Sequence, residues 1–130
     1  MQSQRLKKAE SFIKDAELLF QNKRFDSCIS RCYYAAYHAM VALLEKHGIR
    51  STKWPHEFVL SEFGRQFIHK RKMFPRELAA TVHDIYNERN EADYRTEQKS
   101  EKKAKRLLDK TKNLWNLIRK KVANENQKRA

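Results

Sequence analysis

The sequence predicts an all-α fold, a bundle of four or five helices. Only two Gly and two Pro occur among 130 residues, and strands joined by tight turns need more of the residues that adopt unusual backbone angles. Apolar residues also recur at steps of three and four along most of the chain, which is the period of an amphipathic helix. The length is that of one domain, which can bury a core without disulfides or a structural metal.

Three of the predicted helices have a start or stop signal in the sequence. Pro55 and Pro75 suit the first turn of a helix, and Gly48 is a C-terminal stop. Gly64 weakens the third helix, and the basic run over 69–72 predicts a loop. The final residues, 124–130, are basic and are expected to be a disordered tail. We therefore predict one domain over 1–123, with helices at 4–22, 25–47, 55–70, 75–92 and 100–122.

The second helix is predicted to be the centre of the bundle. Its sequence, FDSCISRCYYAAYHAMVALL over 25–44, leaves almost no polar face, so other helices or a partner subunit should surround it. Cys28 and Cys32 lie on one face of this helix. They are expected to be buried thiols in a reducing compartment, because no second Cys or His pair stands at zinc-ligand spacing. No metal site is predicted.

The chain is strongly basic, which predicts polyanionic partners. It carries 29 Lys and Arg against 16 Asp and Glu, a formal charge of +13, and positive potential must cover wide areas of its surface. No stretch resembles a secretory signal or a membrane span, so we expect a cytoplasmic protein without membrane contact. The sequence has no Gly-rich phosphate loop, so it gives no support for nucleotide binding of the P-loop or dinucleotide type, and no cofactor is predicted. A basic surface can also serve solubility alone, with the protein acting through protein contacts.

Two helices carry polar residues where apolar ones are expected. The inner stripe of the fourth helix places Arg89 on its apolar seam. A guanidinium keeps its charge, so it must reach water, pair with an acid such as Asp93, or line a cleft or interface. The second helix carries a polar stripe of its own. Facing stripes would form a concave cationic site from Arg31, Tyr34, His38, Arg89, Asn90, Asp93 and Tyr94; the alternative is a hydrogen-bond network that only fixes helix register.

The segment FDSCISRCYYAAYHAMVALL over 25–44, together with YNERNEADY over 86–94, resembles the HEPN superfamily. The resemblance implies a bundle of four or five helices, usually a homodimer in which the fourth helix of each subunit lines a shared groove. Many members are metal-independent ribonucleases that need no cofactor. Several are toxins encoded beside a minimal nucleotidyltransferase that acts as the antitoxin.

The motif of active members is an Arg, a polar residue, and a His four to six residues after the Arg. Arg89 and Asn90 match the first two places, but no histidine follows Arg89, and Tyr94 stands where the histidine is expected. His38 could transfer protons from the facing helix, since an imidazole titrates near neutral pH. The resemblance thus implies a catalytic set of Arg89, Asn90, Asp93, Tyr94 and His38. The RNA-binding set is Arg31, Tyr34, Lys102, Lys103 and Arg106.

The resemblance implies two possible functions. The first is a metal-independent ribonuclease that serves as the toxin of a toxin-antitoxin pair. The alternative is a non-catalytic HEPN module that binds RNA, a nucleotide or a nucleotidyltransferase partner, and the missing histidine favours it. Trp54 and Phe74 are the candidates for exposed aromatic residues on which bases could stack.

Overall fold

The computed structural model describes residues 3–129, with side chains for 3–124. Within these residues every regular element is helical, so the predicted all-α bundle is confirmed. A short π-helical segment interrupts the third helix. The elements are α1 (Gln4–Gln21), α2 (Phe25–Lys46), α3 (His56–Phe63), the π-helical segment (Gly64–Lys70), α4 (Glu77–Tyr94) and α5 (Glu101–Arg129).

Helix α2 forms the centre of the bundle, as its sequence predicts. It contacts α1, α3, α4 and α5, and most of its side chains are buried. Cys28 and Cys32 are fully buried and reduced, which confirms the prediction of buried thiols. Because α2 touches four other helices, its backbone is held in a fixed place relative to α4.

Side-chain caps and one glycine set the helix ends. Ser3 and Ser100 precede α1 and α5, where their hydroxyls accept hydrogen bonds from the backbone N–H of Leu6 at 3.0 Å and of Lys103 at 3.1 Å. Gly48 follows α2 with a φ of 81°, a left-handed conformation that favours glycine. The C-terminal stop predicted at Gly48 is therefore confirmed.

The predicted third helix over 55–70 is two elements in the structure. α3 ends at Phe63, and the chain continues as a π-helix from Gly64 to Lys70. Gly64 at the junction has a φ of -63° and a ψ of -47°, which are ordinary helical angles. His69 and Lys70 therefore belong to a helix, and the loop predicted for 69–72 begins only at Arg71.

Two other boundaries differ from the sequence prediction. α4 starts at Glu77, because Pro75 forms a turn whose carbonyl accepts from the N–H of Leu78 at 3.0 Å. α5 was predicted to end at Val122 but is helical to Arg129. The predicted boundary between domain and tail at residue 124 consequently falls inside α5, and the last residue of that tail lies outside the described part of the chain.

Candidate functional site

Arg89 connects α4 to α2 through its side chain. Its Nη2 donates to the phenol oxygen of Tyr34 at 3.1 Å, and its Nη1 donates to Oδ1 of Asn90 at 3.1 Å. Its Nε lies 2.9 Å from Oδ2 of Asp93, an ion pair whose angle falls outside hydrogen-bond geometry. The guanidinium carbon also lies over the ring of Tyr33, 5.1 Å from its centre. The seam arginine is thus paired with an acid and clamped by aromatic rings.

The Arg89 guanidinium is charged and still has donors to offer. Burial alone would lower the pKa of Arg89, but the hydrogen bond to Tyr34 and the charge of Asp93 raise that pKa above its ordinary value. Its side chain is 15% exposed, so water screens this charge only partly. The second N–H of each terminal nitrogen has no partner among the described side chains. A guanidinium held in this way can bind two oxygens of a phosphate.

An open groove lies beside Arg89, between the first half of α2 and the end of α4. Its volume is about 440 Å³, and it is lined by Asp26, Ser27, Ser30, Arg31, Tyr34, Ala92 and Asp93. We call it the α2–α4 groove. Asp26 also fixes the chain that leads into α5, since its Oδ1 accepts from the backbone N–H of Lys99 at 2.8 Å. The two polar stripes therefore meet where Arg89 of α4 bonds Tyr34 of α2 and where Asp93 lines the groove. Asn90 contacts its neighbour Arg89 within α4.

Basic residues continue from this groove towards α1. Arg31 is exposed on α2, and its guanidinium lies 5.7 Å from the centre of the Phe12 ring. The ammonium of Lys8 lies 5.4 Å from the same ring. The Phe12 and Tyr34 rings are 5.8 Å apart. Lys8, Arg31 and Arg89 therefore form a basic edge with aromatic rings between the cations, a combination suited to a nucleic-acid strand.

His38 lies apart from the α2–α4 groove. Its Nδ1 is 3.1 Å from Nη1 of Arg5, so Nδ1 accepts this hydrogen bond and the imidazole is neutral. The ring stacks on Phe12, with centroids 5.6 Å apart. Burial, followed by the positive charges of Arg5 and Lys8, lowers the pKa of His38 to about 4. The structure thus places this predicted catalytic residue on the α1 side of α2, without a contact to Arg89.

His56 is an imidazole that no pattern in the sequence connects with Arg89. It is the first residue of α3, and its ring centroid lies 5.2 Å from that of Tyr33 and 4.8 Å from that of Tyr37. Arg89 lies over the same Tyr33 ring. Burial, followed by the charge of Arg89, lowers the pKa of His56. Helical periodicity could not indicate this residue, because it lies on a different helix, after a loop, and meets Arg89 only at the Tyr33 ring.

Tyr94 is not part of the α2–α4 groove. It is 80% exposed and lines a separate shallow depression with Arg95, Thr96 and Glu97 at the end of α4. Of the residues assigned to catalysis, the structure therefore brings Asn90 and Asp93 to Arg89 and leaves Tyr94 and His38 apart from it.

Two of the three basic residues predicted to bind RNA on α5 are engaged by acids of α4. Lys103 Nζ lies 3.1 Å from Oε2 of the buried Glu88, and Arg106 Nη2 lies 3.2 Å from Oδ2 of Asp84. Lys102 is exposed. The contacts of Lys103 and Arg106 join α5 to α4, so both side chains already have a structural role. Of the three, Lys102 is therefore the one best placed to bind RNA.

Trp54 and Phe74, the aromatic residues expected at the surface, are 6% and 5% exposed. Trp54 packs near Phe58, with ring centroids 6.2 Å apart, and Phe74 stacks on Phe63 at 5.8 Å. Neither ring is available for a base, so that expectation is wrong. Both residues flank short elements, where helical periodicity gives no information about burial.

Two other features, a metal-binding cluster and a membrane-spanning helix, are absent from the described residues. Among them, no group of three or more His, Cys, Asp or Glu side chains could hold a metal ion. None of the helices in this part of the chain combines the length and the apolar character needed to cross a membrane.

Comparison with known proteins gives a family match over nearly the whole chain. The model of the family described as "HEPN domain" matches residues 2–121. A "UPF0332 protein" of Thermotoga maritima is 33% identical over 68% of this chain and 64% of its own length. Two proteins of Methanocaldococcus jannaschii named "Putative toxin" are 30% and 34% identical, over 77% and 68% of this chain and 72% and 58% of their own lengths. The chain thus spans less than two thirds of two of these three relatives.

Proposed function

This chain belongs to the HEPN domain family, and from that premise we propose that it is an RNA-binding toxin that cleaves RNA without a metal ion. The observation that carries the proposal is the guanidinium of Arg89, held by Tyr34, Asn90 and Asp93 at the edge of the α2–α4 groove. Its remaining N–H groups can bind a phosphate and stabilise the charge that gathers on phosphorus during cleavage.

The electrostatics of the basic edge beside the groove favour an RNA strand. The chain has a formal charge of +13, and the basic edge of Lys8, Arg31 and Arg89 gives a path along which phosphates can lie. Asp93 already neutralises part of the charge of Arg89, so a bound phosphate has to compete with this carboxylate. Asp93 would thus favour release of RNA, and the groove is suited to transient binding.

The partners in this proposal are RNA, a second copy of the chain and an antitoxin. Two relatives carry the name "Putative toxin", and a toxin needs a partner that neutralises it. We propose a cytoplasmic homodimer, in which α4 of each copy lines a shared groove, controlled by a minimal nucleotidyltransferase. Tyr94 is 80% exposed at the end of α4, where a partner protein can reach its ring.

The experiment that tests this function is RNA cleavage in the presence of EDTA. Wild-type protein is expected to cleave single-stranded RNA, and Arg89→Gln to lower the rate by about 100-fold, because a positioned cation at the phosphate is lost. Arg65→Gln is the matched control, since Arg65 is 61% exposed and pairs with Glu62 outside the groove. Intact RNA with the wild-type protein, or equal rates for both variants, would contradict the proposal.

A second function, a non-catalytic HEPN module, is favoured by a different observation. No histidine follows Arg89 in the chain, so α4 itself offers no imidazole beyond the arginine. This module would hold RNA, a nucleotide or a nucleotidyltransferase partner in the same groove. It predicts RNA that binds with a strong dependence on salt and stays intact in the cleavage assay.

A further inference from the structure

The loop before α3 holds His56 in place through a strained residue. Trp54 has a φ of 47°, which a bulky side chain seldom adopts. Its carbonyl accepts from the hydroxyl of Tyr37 at 2.6 Å, its N–H donates to Oγ of Ser51 at 3.0 Å, and its indole is buried. Strain of this kind persists only where surrounding contacts enforce it. The start of α3 is therefore tightly fixed against α2.

His56 and Arg89 approach the same ring from different helices. The centroid of the Tyr33 ring lies 5.2 Å from the His56 ring and 5.1 Å from the guanidinium carbon of Arg89. The chain contains five histidines, and in the described part of the chain only His56 shares an aromatic neighbour with Arg89. His38, by contrast, is bonded to Arg5 and stacked on Phe12.

We propose that His56 is the proton-transfer residue that acts beside Arg89 in RNA cleavage, an inference that rests on the proposed ribonuclease function. Metal-independent cleavage needs a group that removes the proton of the 2′-hydroxyl, and arginine cannot serve as that base. An imidazole that packs on the same ring as a fixed cation, and whose pKa that cation lowers, meets this need. The groups that face it are the phenols of Tyr33 and Tyr37 on α2 and the guanidinium of Arg89 on α4.

The reaction uses no other reagent. Neutral His56 takes the proton of the 2′-hydroxyl, and the 2′-oxygen forms a bond to phosphorus while Arg89 holds the non-bridging oxygens. The bond from phosphorus to the 5′-oxygen breaks, and that oxygen takes a proton from the imidazolium. The products are a 2′,3′-cyclic phosphate and a 5′-hydroxyl, and His56 returns to its neutral form. Burial, followed by the charge of Arg89, lowers the pKa of His56 and so favours the neutral form that can act as the base.

The test compares histidine variants in the EDTA cleavage assay over a range of pH. His56→Gln is expected to lower the rate by about 100-fold, with RNA affinity changed by less than about twofold. It should also remove the fall in rate at acid pH that protonation of His56 causes in the wild type. His83→Gln, an exposed substitution on α4, is the matched control and should cleave at the wild-type rate.

Each outcome has a defined meaning. A rate for His56→Gln within about threefold of wild type, or a large loss in His38→Gln alone, overturns the role of His56 and leaves the proposed function standing. Wild-type protein that leaves RNA intact overturns both. Should His56→Gln fail to fold, as judged by circular dichroism, His56→Ala with added imidazole replaces it. Recovery of the rate with imidazole supports the inference, and a rate unchanged by imidazole contradicts it.

Discussion

The Nη2 of Arg89 donates a hydrogen bond to the phenol oxygen of Tyr34, and this 3.1 Å contact joins α4 to α2 at the edge of the α2–α4 groove. Tyr34 also lies beside the Phe12 ring, with the ring centroids 5.8 Å apart. Its side chain therefore connects the fixed guanidinium to Lys8 and Arg31, the other two cations of the basic edge. The arrangement holds Arg89 in place before any ligand arrives, so a phosphate would meet a cation that is already oriented.

The first prediction concerns this hydrogen bond. Tyr34→Phe removes only the acceptor oxygen, and the free energy of unfolding should fall by about 0.5–1.5 kcal/mol because a partly buried guanidinium loses a partner. Urea unfolding measures the change. Tyr94→Phe removes a hydroxyl from a side chain that is 80% exposed and should leave the stability unchanged. Equal loss in both variants would show that the Tyr34 contact does not hold the two helices together.

The second prediction concerns the buried carboxylate of Glu88. It lies 3.1 Å from Lys103 Nζ, 3.7 Å from Lys99 Nζ and 3.9 Å from Arg106 Nη2. Glu88→Gln leaves these cations without their shared counter-charge, so the free energy of unfolding should fall by about 1–3 kcal/mol.

The matched control for Glu88→Gln is Asp109→Asn. Asp109 and Lys105 form an exposed pair on α5, with both side chains 57% exposed, and such a pair contributes less than about 1 kcal/mol. Urea unfolding of both variants compares the two carboxylates directly. A loss for Glu88→Gln no larger than that for Asp109→Asn would mean that the buried acid is not needed to join α5 to α4.

The third prediction is a dependence of stability on pH that originates at His38. Its pKa is lowered from 6.5 to about 4 in the folded protein. Between these pH values His38 therefore binds a proton in the unfolded chain but not in the folded protein. Stability from this group is therefore present above about pH 6.5 and is lost as the pH falls towards about 4.

Replacing His38 should make the protein less sensitive to acid over this range. Between about pH 7 and about pH 5, the midpoint of urea unfolding should fall less for His38→Gln than for wild type. The control is His83→Gln, which replaces an exposed residue of α4. Its unfolding midpoint should fall as much as that of wild type over the same pH range. An undiminished acid loss in His38→Gln would place the titrating group elsewhere.

The fourth prediction distinguishes the two glycines. A Cβ at Gly64 would meet no atom within 4 Å, and no positive φ is found there. Gly64→Ala should therefore raise the free energy of unfolding by about 0.4–1 kcal/mol, because the unfolded chain loses freedom. Gly48 has a φ of 81°, so Gly48→Ala should lower the free energy of unfolding by about 1 kcal/mol. Thermal unfolding checks both signs, and destabilisation by Gly64→Ala would mean that the π-helical turn requires glycine.

The sequence predicted the bundle and its central helix because helical periodicity records burial directly. Arg89 stood out for the same reason, as a cation on an apolar stripe, and its partner Asp93 could be read from helical spacing. The π-helical segment could not be predicted, since a local widening at Gly64 leaves the apolar pattern almost unchanged.

The candidate site was harder to predict because it depends on contacts between helices. His38 shares a stripe with Tyr34 on α2. In the bundle α1 packs against His38, whose ring is bonded by Arg5 and stacked on Phe12. His56 follows a loop and shares no helical stripe with Arg89, and only the packing of α3 on α2 brings both to Tyr33. The ion pair of Lys103 could not be predicted either, because its acidic partner belongs to a different helix, α4.

The most direct test of the central claim is RNA binding by Arg89→Gln in EDTA, measured by fluorescence anisotropy between about 50 and about 200 mM salt. If Arg89 is the phosphate-binding cation of the α2–α4 groove, this variant should bind more weakly than wild type. Its slope of log affinity against log salt should be shallower by about 0.7, the share of one phosphate contact on a single strand. An affinity and a slope equal to those of wild type and Arg65→Gln would contradict the account.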